Sequence, residues 1–330
     1  MPSSKPLDVV GIGNALVDVI TTQVDSFLEE CSLTKGAMML IDTERAVSLY
    51  AAMGPGVEMS GGSAANTMCG VASFGGRCAY IGKVSNDQLG EVFAHDLRAT
   101  GVQFSGPSPA TDIPTGRCLI VVTPDAQRTM STYLGVSELL GPDDVDEAVV
   151  ASAQVLYMEG YLWDRPEAMA AYRKAAAVAH RAGGLVSLSL SDSFCVDRHR
   201  DAFLDLVATE VDVLFANEAE VCALYGTEKV SEAYSKVAEH CDLAAITLGS
   251  KGSVVVERSG DVHEVVADPV PEVVDTTGAG DLYASGFLYG LTRGLPPAEC
   301  GRLGSVAAAE VISHVGARPS ANLARLAGLD

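Results

Sequence analysis

The chain has 330 residues, with 22 Lys plus Arg against 43 Asp plus Glu and a formal net charge of −21. With 48% apolar and 20% charged residues it has the make-up of a globular fold, one large α/β domain or two smaller ones. So acidic a chain, without a basic stripe, is a poor match for nucleic-acid phosphates or anionic lipid, and no apolar run approaches the ~18 residues of a membrane span.

From the N-terminus, the segment before Asp8 lacks the apolar core of a signal peptide. Val9-Val10-Gly11-Ile12 then reads as a buried strand that ends in the turn Gly13-Asn14. Short apolar runs of the same kind recur at 154–158, 185–190, 213–216 and 244–248, with helical patterns between them, as over 166–182 and 230–241. Strands spaced by such helices predict βαβ units: an α/β fold whose central, mostly parallel sheet carries helices on both faces. Two regions, about 15–60 and about 110–138, break this rhythm with polar–apolar alternation and turns, and 118–122 and 129–133 read as strands within them. They flank a helical unit, so they are expected to form a small β-sheet lid on a single domain spanning 1–330. The other reading makes them an edge extension of the main sheet.

The eight cysteines include no CxxC pair and the six histidines no HxxxH pair. That pattern suits neither zinc nor a disulfide framework and fits a reducing cytoplasm. Glycine is more telling. Its 33 residues exceed the usual ~7% of a chain, and they gather at a few turns.

The strongest of these is Asp275-Thr276-Thr277-Gly278-Ala279-Gly280-Asp281, followed by the helical Leu282-Tyr283-Ala284-Ser285-Gly286-Phe287. Gly278, Ala279 and Gly280 therefore stand at a helix N-terminus, where unpaired amides and the helix dipole form an anion site. Thr276 and Thr277 can add hydroxyl donors. Asp281, in the first turn, is placed to take a proton from a hydroxyl beside the anion, a compact arrangement for phosphoryl transfer. A plain N-cap with an acidic first turn accounts for one Asp and one Thr. It does not account for two glycines and two aspartates around one turn.

This segment resembles the second signature of the ribokinase-like, or PfkB, family of carbohydrate and nucleoside kinases. The first signature is matched by Gly61-Gly62-Ser63-Ala64-Ala65-Asn66-Thr67, continuing through Phe74-Gly75-Gly76 to Ile81-Gly82-Lys83-Val84-Ser85-Asn86-Asp87 and Gly90. Shorter matches are Gly13-Asn14-Ala15-Leu16-Val17-Asp18, Asn217-Glu218-Ala219-Glu220 and Thr247-Leu248-Gly249-Ser250-Lys251-Gly252. The resemblance covers nearly the whole chain in the family's order and is greatest to the adenosine kinase branch in its bacterial form.

The resemblance implies transfer of the γ-phosphate of MgATP to the 5′-hydroxyl of a purine nucleoside, adenosine first. Asp281 would be the base and Gly278, Ala279 and Gly280 the anion hole. Asn14, Asp18, Gly62 and Asn66 would hold the ribose hydroxyls, with Gly61 letting the substrate approach. Leu16, Leu40, Leu134 and Val136, with Tyr161 or Leu162, would enclose the base. Arg128, Asn217, Thr247, Gly249, Gly252 and Thr277 would serve ATP, and Glu220 would hold Mg²⁺ through water. Members of the family often bind K⁺ beside the position of Asp275, which no residue pattern decides here. The implied partners are a nucleoside and ATP, with monomer and homodimer both open.

Each position also has a local reading. Asn66 can serve as a cap or turn residue, Asp18 as a solvated acid, Asn217-x-x-Glu220 as a helix cap and Gly249 with Gly252 as a turn. Arg128 can lie on the surface, and the apolar lid residues can form the lid's own core. Met38 stands where some adenosine kinases carry a glutamine, which leaves inosine or guanosine as other acceptors. A sugar kinase of ribokinase or fructokinase type is the nearest alternative. A dinucleotide-dependent dehydrogenase is a distant one, because Gly11-Ile12-Gly13 is followed by Leu16 where a third glycine is required.

Overall fold

The structure, a computed structural model, describes residues 5–106, 112–125 and 127–329; residues 1–4 and positions 110, 111 and 126 of the expected lid lie outside these. The first eight strands are β1 Leu7–Ile12, β2 Leu16–Thr22, β3 Met38–Leu40, β4 Val57–Gly61, β5 Cys78–Ile81, β6 Gln103–Phe104, β7 Gly116–Val122 and β8 Arg128–Tyr133. The remaining six are β9 Ala153–Glu159, β10 Leu185–Ser189, β11 Val213–Asn217, β12 Leu243–Thr247, β13 Ser253–Glu257 and β14 Val262–Val265.

Nine strands form the main sheet in the order β14-β13-β12-β11-β10-β9-β1-β5-β6. From β12 to β6 every pairing is parallel, and β13 and β14 extend the far edge as antiparallel strands. This is the α/β architecture that the alternating runs imply. Strands covered on both faces need apolar residues at every position, and β1 is buried along its whole length. Its side chains divide by parity. Val10 and Ile12 enter a core with Trp163, Tyr172 and Phe203, while Val9 enters the opposite core with Met68, Phe93 and Phe287.

The other five strands make a second sheet, β3-β8-β7-β2-β4, of mixed direction. Here β2 alternates in burial, as a sheet with two unlike faces requires. Val19 and Leu119 pack with Leu49 into a small core that takes in Phe27 from the helix Asp25–Glu30. Leu16, Asp18, Cys118 and Ile120 stand on the opposite face and line a cavity. The chain enters this sheet just after β1 and leaves it from β4 into the helix Ser63–Ser73.

At the amino end of the main sheet lies Asp8, with no solvent exposure. It accepts hydrogen bonds from the Arg77 amide at 2.8 Å, Gln154 Nε2 at 3.0 Å, and the guanidinium groups of Arg77 and Arg293 at 3.1 Å each. One carboxylate thus ties β1 to β9, to the approach to β5, and to the C-terminal end of the helix Ala279–Thr292. Burial alone would raise its pKa, but Arg293 and Arg77 outweigh burial and hold it below the ordinary carboxylate range. A depressed carboxyl stabilises the fold above its unfolded pKa of about 3.9 and loses that contribution as the pH falls through the folded value. Asp8→Asn should therefore cost about 1–3 kcal/mol in urea unfolding at pH 7. Its deficit against the wild type should close below about pH 4.

Candidate active site

In an open parallel sheet, ligands bind beyond the strands' carboxyl ends, where the strand order reverses. Here the reversal falls between β1 and β9, which pair as Ile12 with Met158. Their next residues meet: the Asn14 amide donates to Glu159 Oε1 at 2.7 Å. Glu159 is fully buried, and its Oε2 accepts from the Ala64 amide at 2.8 Å. Gly62, at the N-cap of that helix, has φ of 94° and lies against the Asn14 carbonyl, where a Cβ would collide. A left-handed backbone in that contact requires glycine.

The second glycine turn approaches from the helix Ala279–Thr292. Gly278 caps it at φ 79°, with Ala317 only 2.8 Å from where a Cβ would stand. Nothing lies within 4 Å of the Cβ position of Gly280, so its backbone is open to a ligand. Asp275 anchors the turn. Its carboxylate accepts from the Thr277 amide at 3.1 Å, the Thr277 hydroxyl at 2.8 Å and the Gly316 amide at 2.9 Å, and it pairs with Arg128 at 2.5 Å.

The two turns meet at Asp281. Ser63 Oγ donates to its Oδ1 at 2.6 Å and Asn66 Nδ2 to its Oδ2 at 3.0 Å, across 218 and 215 residues of chain. Arg318 Nε donates to Asn66 Oδ1 at 3.3 Å, which fixes the orientation of that amide. Burial raises the pKa of Asp281, and the bonds from Ser63 and Asn66 work against the rise. Burial likewise pushes Asp18 up to about 6 and Glu159 and Glu220 up to about 7.

These groups surround a cavity of about 1140 Å³. It is lined by Asn14, Leu16, Asp18, Leu40, Gly62, Asn66, Leu134 and Tyr161 on the nucleoside side of the expected site. Asn217, Glu220, Thr247, Gly249 and Thr277 line it on the ATP side, with Gly278, Ala279, Gly280 and Asp281 between. Asn217 and Glu220 also form a reciprocal cap: both carboxylate oxygens of Glu220 accept from Asn217, at 2.9 and 2.7 Å. The local reading of that pair holds together with its place on the cavity wall.

Five expected residues do not line the cavity. Val136 is fully buried in the 3-10 turn Gly135–Leu139. Leu162 packs with Trp163 in the main core, because the turn after β9 directs it inward. Gly61 lies beneath Asp18, whose carboxyl carbon is 2.7 Å from the position of a Cβ. Gly252 turns the chain against the Val265 carbonyl, leaving no room for a side chain. Arg128 is held by Asp275. The glycines of the supposed dinucleotide motif also serve packing. A Cβ on Gly11 would stand 2.8 Å from Met68 Cγ, and one on Gly13 would stand 2.5 Å from the carboxyl carbon of Glu159.

Sequence reasoning missed Ser63, Glu159, Arg318 and Phe194. Ser63 directly follows Gly62 at the helix start, a signal that was available. Glu159 is an acid closing an apolar run, the mark of a carboxyl-end site residue. Phe194, 74% exposed, reaches the cavity from the helix Ser193–Arg198, and Arg318 comes from a distant loop; neither carries a local sequence signal.

Four similarities to known proteins bear on this geometry. The model of the pfkB family carbohydrate kinases matches residues 36–324. The crystal structure of adenosine kinase from Sinorhizobium meliloti is 53% identical, with a TM-score of 0.91 over 98% of each chain. A probable sugar kinase from Rhizobium etli CFN 42 is 49% identical, with a TM-score of 0.92 over 98% of each chain. Among curated proteins, the adenosine kinase of Saccharomyces cerevisiae is 28% identical over 308 residues, 87% of this chain and 89% of its own.

The Arg128–Asp275 pair is the test of how the turn is held. Their side chains are 12% and 4% exposed. Asp275→Asn keeps the volume but removes the carboxylate paired with Arg128, and breaking a buried pair from one side costs about 3–5 kcal/mol. Chemical unfolding of that variant should show a loss of this size, whereas a loss below about 1 kcal/mol would mean that Arg128 finds solvent instead.

Proposed function

The chain belongs to the pfkB family of carbohydrate kinases, and we propose that it moves the γ-phosphate of MgATP to the 5′-hydroxyl of a purine nucleoside, adenosine above others. One observation carries this reading. Asp281, the helix-start turn Gly278–Gly280 with its open Gly280, and the polar pair Asn14 and Asp18 share one cavity, whose far wall is apolar. The likeness to the Sinorhizobium adenosine kinase supports the choice of acceptor.

In this reading Asp18 and Asn66 take the vicinal hydroxyls of the ribose, an acceptor-only group beside an amide that both donates and accepts. Leu16, Met38, Leu40 and Leu134 offer the base an apolar wall, and Tyr161 offers it a ring. Asp281 takes the 5′-hydroxyl proton as the oxygen attacks the γ-phosphorus in line. A carboxyl raised by burial is the stronger base for that step. The amides at Gly278, Ala279 and Gly280 face the charge that develops on the transferring group.

The second sheet acts as the lid of a single kinase domain. It covers the acceptor and excludes water that would otherwise take the phosphate. Its Arg128, held on Asp275, brings a cation to the rim of the anion hole. Among the described residues no three or more His, Cys, Asp or Glu side chains are grouped to hold a metal ion. A single carboxylate such as Glu220 fits Mg²⁺, which keeps most of its waters and is bound largely by substrate phosphates. Glu220, with Asn217, would hold it through water, and when bound it neutralises charge on the phosphates. The carboxylate of Asp275 is already engaged by Arg128, Thr277 and Gly316, so no step here passes through K⁺.

A sugar kinase is the second reading, favoured by the Rhizobium neighbour and by Met38, which gives a purine edge no hydrogen bond. A coupled ADP-release assay with adenosine, inosine, guanosine, ribose and fructose separates the two. Adenosine should be turned over best, and turnover of a free sugar with none of adenosine would replace the nucleoside reading. Asp281→Asn should lower kcat by about 10²–10⁴-fold, the usual contribution of a general base. Nucleoside binding, read by calorimetry, should survive. Near-normal turnover would remove Asp281 from the role.

A further inference from the structure

Asp281 must be ionised to take a proton, yet its burial opposes this. Asp18 on β2, Glu159 on β9 and Glu220 on the helix Glu218–Tyr225 all feel its charge, as do the phenols of Tyr157 and Tyr161. Among the described residues the nearby cations are not donors to it. Arg128 pairs with Asp275, and Arg318 donates to Asn66 and acts on Asp18. Among the described residues, the side chains that donate to Asp281 are Ser63 and Asn66.

Of the two, Ser63 is the closer, at 2.6 Å against 3.0 Å. Its backbone has little freedom. Gly62 before it lies against the Asn14 carbonyl, and the Ala64 amide after it is bound by the buried Glu159. The hydroxyl is therefore presented from a fixed point, and a charge-assisted bond from a fixed donor both aims a carboxylate and favours its charged form. Asn66 has another duty in the kinase reading, at the acceptor's diol. Ser63 has none.

From this geometry we infer that Ser63 is a positioning residue for the base: it aims Asp281 and keeps it ionised at the pH of turnover. The inference rests on the kinase reading for its consequence and on the 2.6 Å contact for its cause, so each can fail alone.

The test is Ser63→Ala, with Ser63→Thr retaining the hydroxyl. A lost donor to the charged form raises a carboxyl's pKa. The acid limb of kcat/KM for transfer from MgATP to adenosine should therefore move up by about one pH unit, a rate about tenfold lower at acid pH. At high pH the rate should approach that of the wild type, and Ser63→Thr should return the limb to its place. A purely structural loss would lower the rate without moving the limb. The carboxyl of Asp281 can also be titrated directly by NMR in ¹³C-aspartate-labelled protein without substrate, identified by its absence from Asp281→Asn. There too Ser63→Ala should titrate at higher pH. A titration or an acid limb that stays at the wild-type value overturns the inference. A titration that moves in a protein that phosphorylates no acceptor supports the contact and overturns the kinase reading instead.

Discussion

The carboxylate of Glu159 joins the two halves of this site. It closes β9 with no solvent exposure and takes one amide from the chain leaving β1 and another from the first turn of the helix Ser63–Ser73. A buried donor left unpaired costs about 1–3 kcal/mol, so both segments are drawn to this one acceptor. The position of Ser63 and Asn66 follows from it, and through them the aim of Asp281. Tyr172 closes the arrangement from below by donating to the Glu159 carbonyl at 2.7 Å. A site assembled from segments more than 200 residues apart thus has its reference point in a side chain that the proposed chemistry does not use.

The electrostatics of the cavity run against its proposed substrate. Asp18, Glu159, Glu220 and Asp281 are all carboxyl groups raised by burial, in a chain of net charge −21. An anionic nucleotide would be held here by backbone more than by side-chain cations. The amides at the start of the helix Ala279–Thr292 supply fixed partial positive charge, and the open glycine at 280 would let an oxyanion reach them. The acidic exterior then bears on solubility rather than on binding.

The second sheet gives the cavity its opposite character. Alternation along β2 and β7 sends one set of side chains into a small core and the other toward the main sheet. Met38 and Leu40 on β3 are 42% and 53% exposed, apolar groups that face open space rather than protein. Such surface suits a flat, apolar partner, which is how a purine presents its faces. The neighbouring Cys118 has its thiol pushed up to about 12 by burial, so it contributes volume and no charge.

Much of this was legible in the amino-acid order. Continuous apolar runs marked the parallel strands because burial on both faces leaves no room for alternation, and the broken rhythm near 15–60 and 110–138 marked the two-faced strands of the second sheet. Gly278, Gly280 and Asp281 could be placed together at one helix start because that is a local feature with local rules. What a position touches across the fold was not legible. Arg128 reads as free to meet phosphates, yet Asp275 holds it; Val136 and Leu162 read as cavity wall, yet both are buried in the core. Glu159 and Arg318 acquire their roles only once β1 and β9 lie side by side and the loop after the helix Pro297–Val311 folds back on Asn66. The sequence alone determined the main elements and the glycine turn at the helix start, since these depend on neighbours in the chain. The tertiary structure decided which charges are paired and which donors hold Asp281, since pairing in a low-dielectric interior depends on distances that no local pattern encodes.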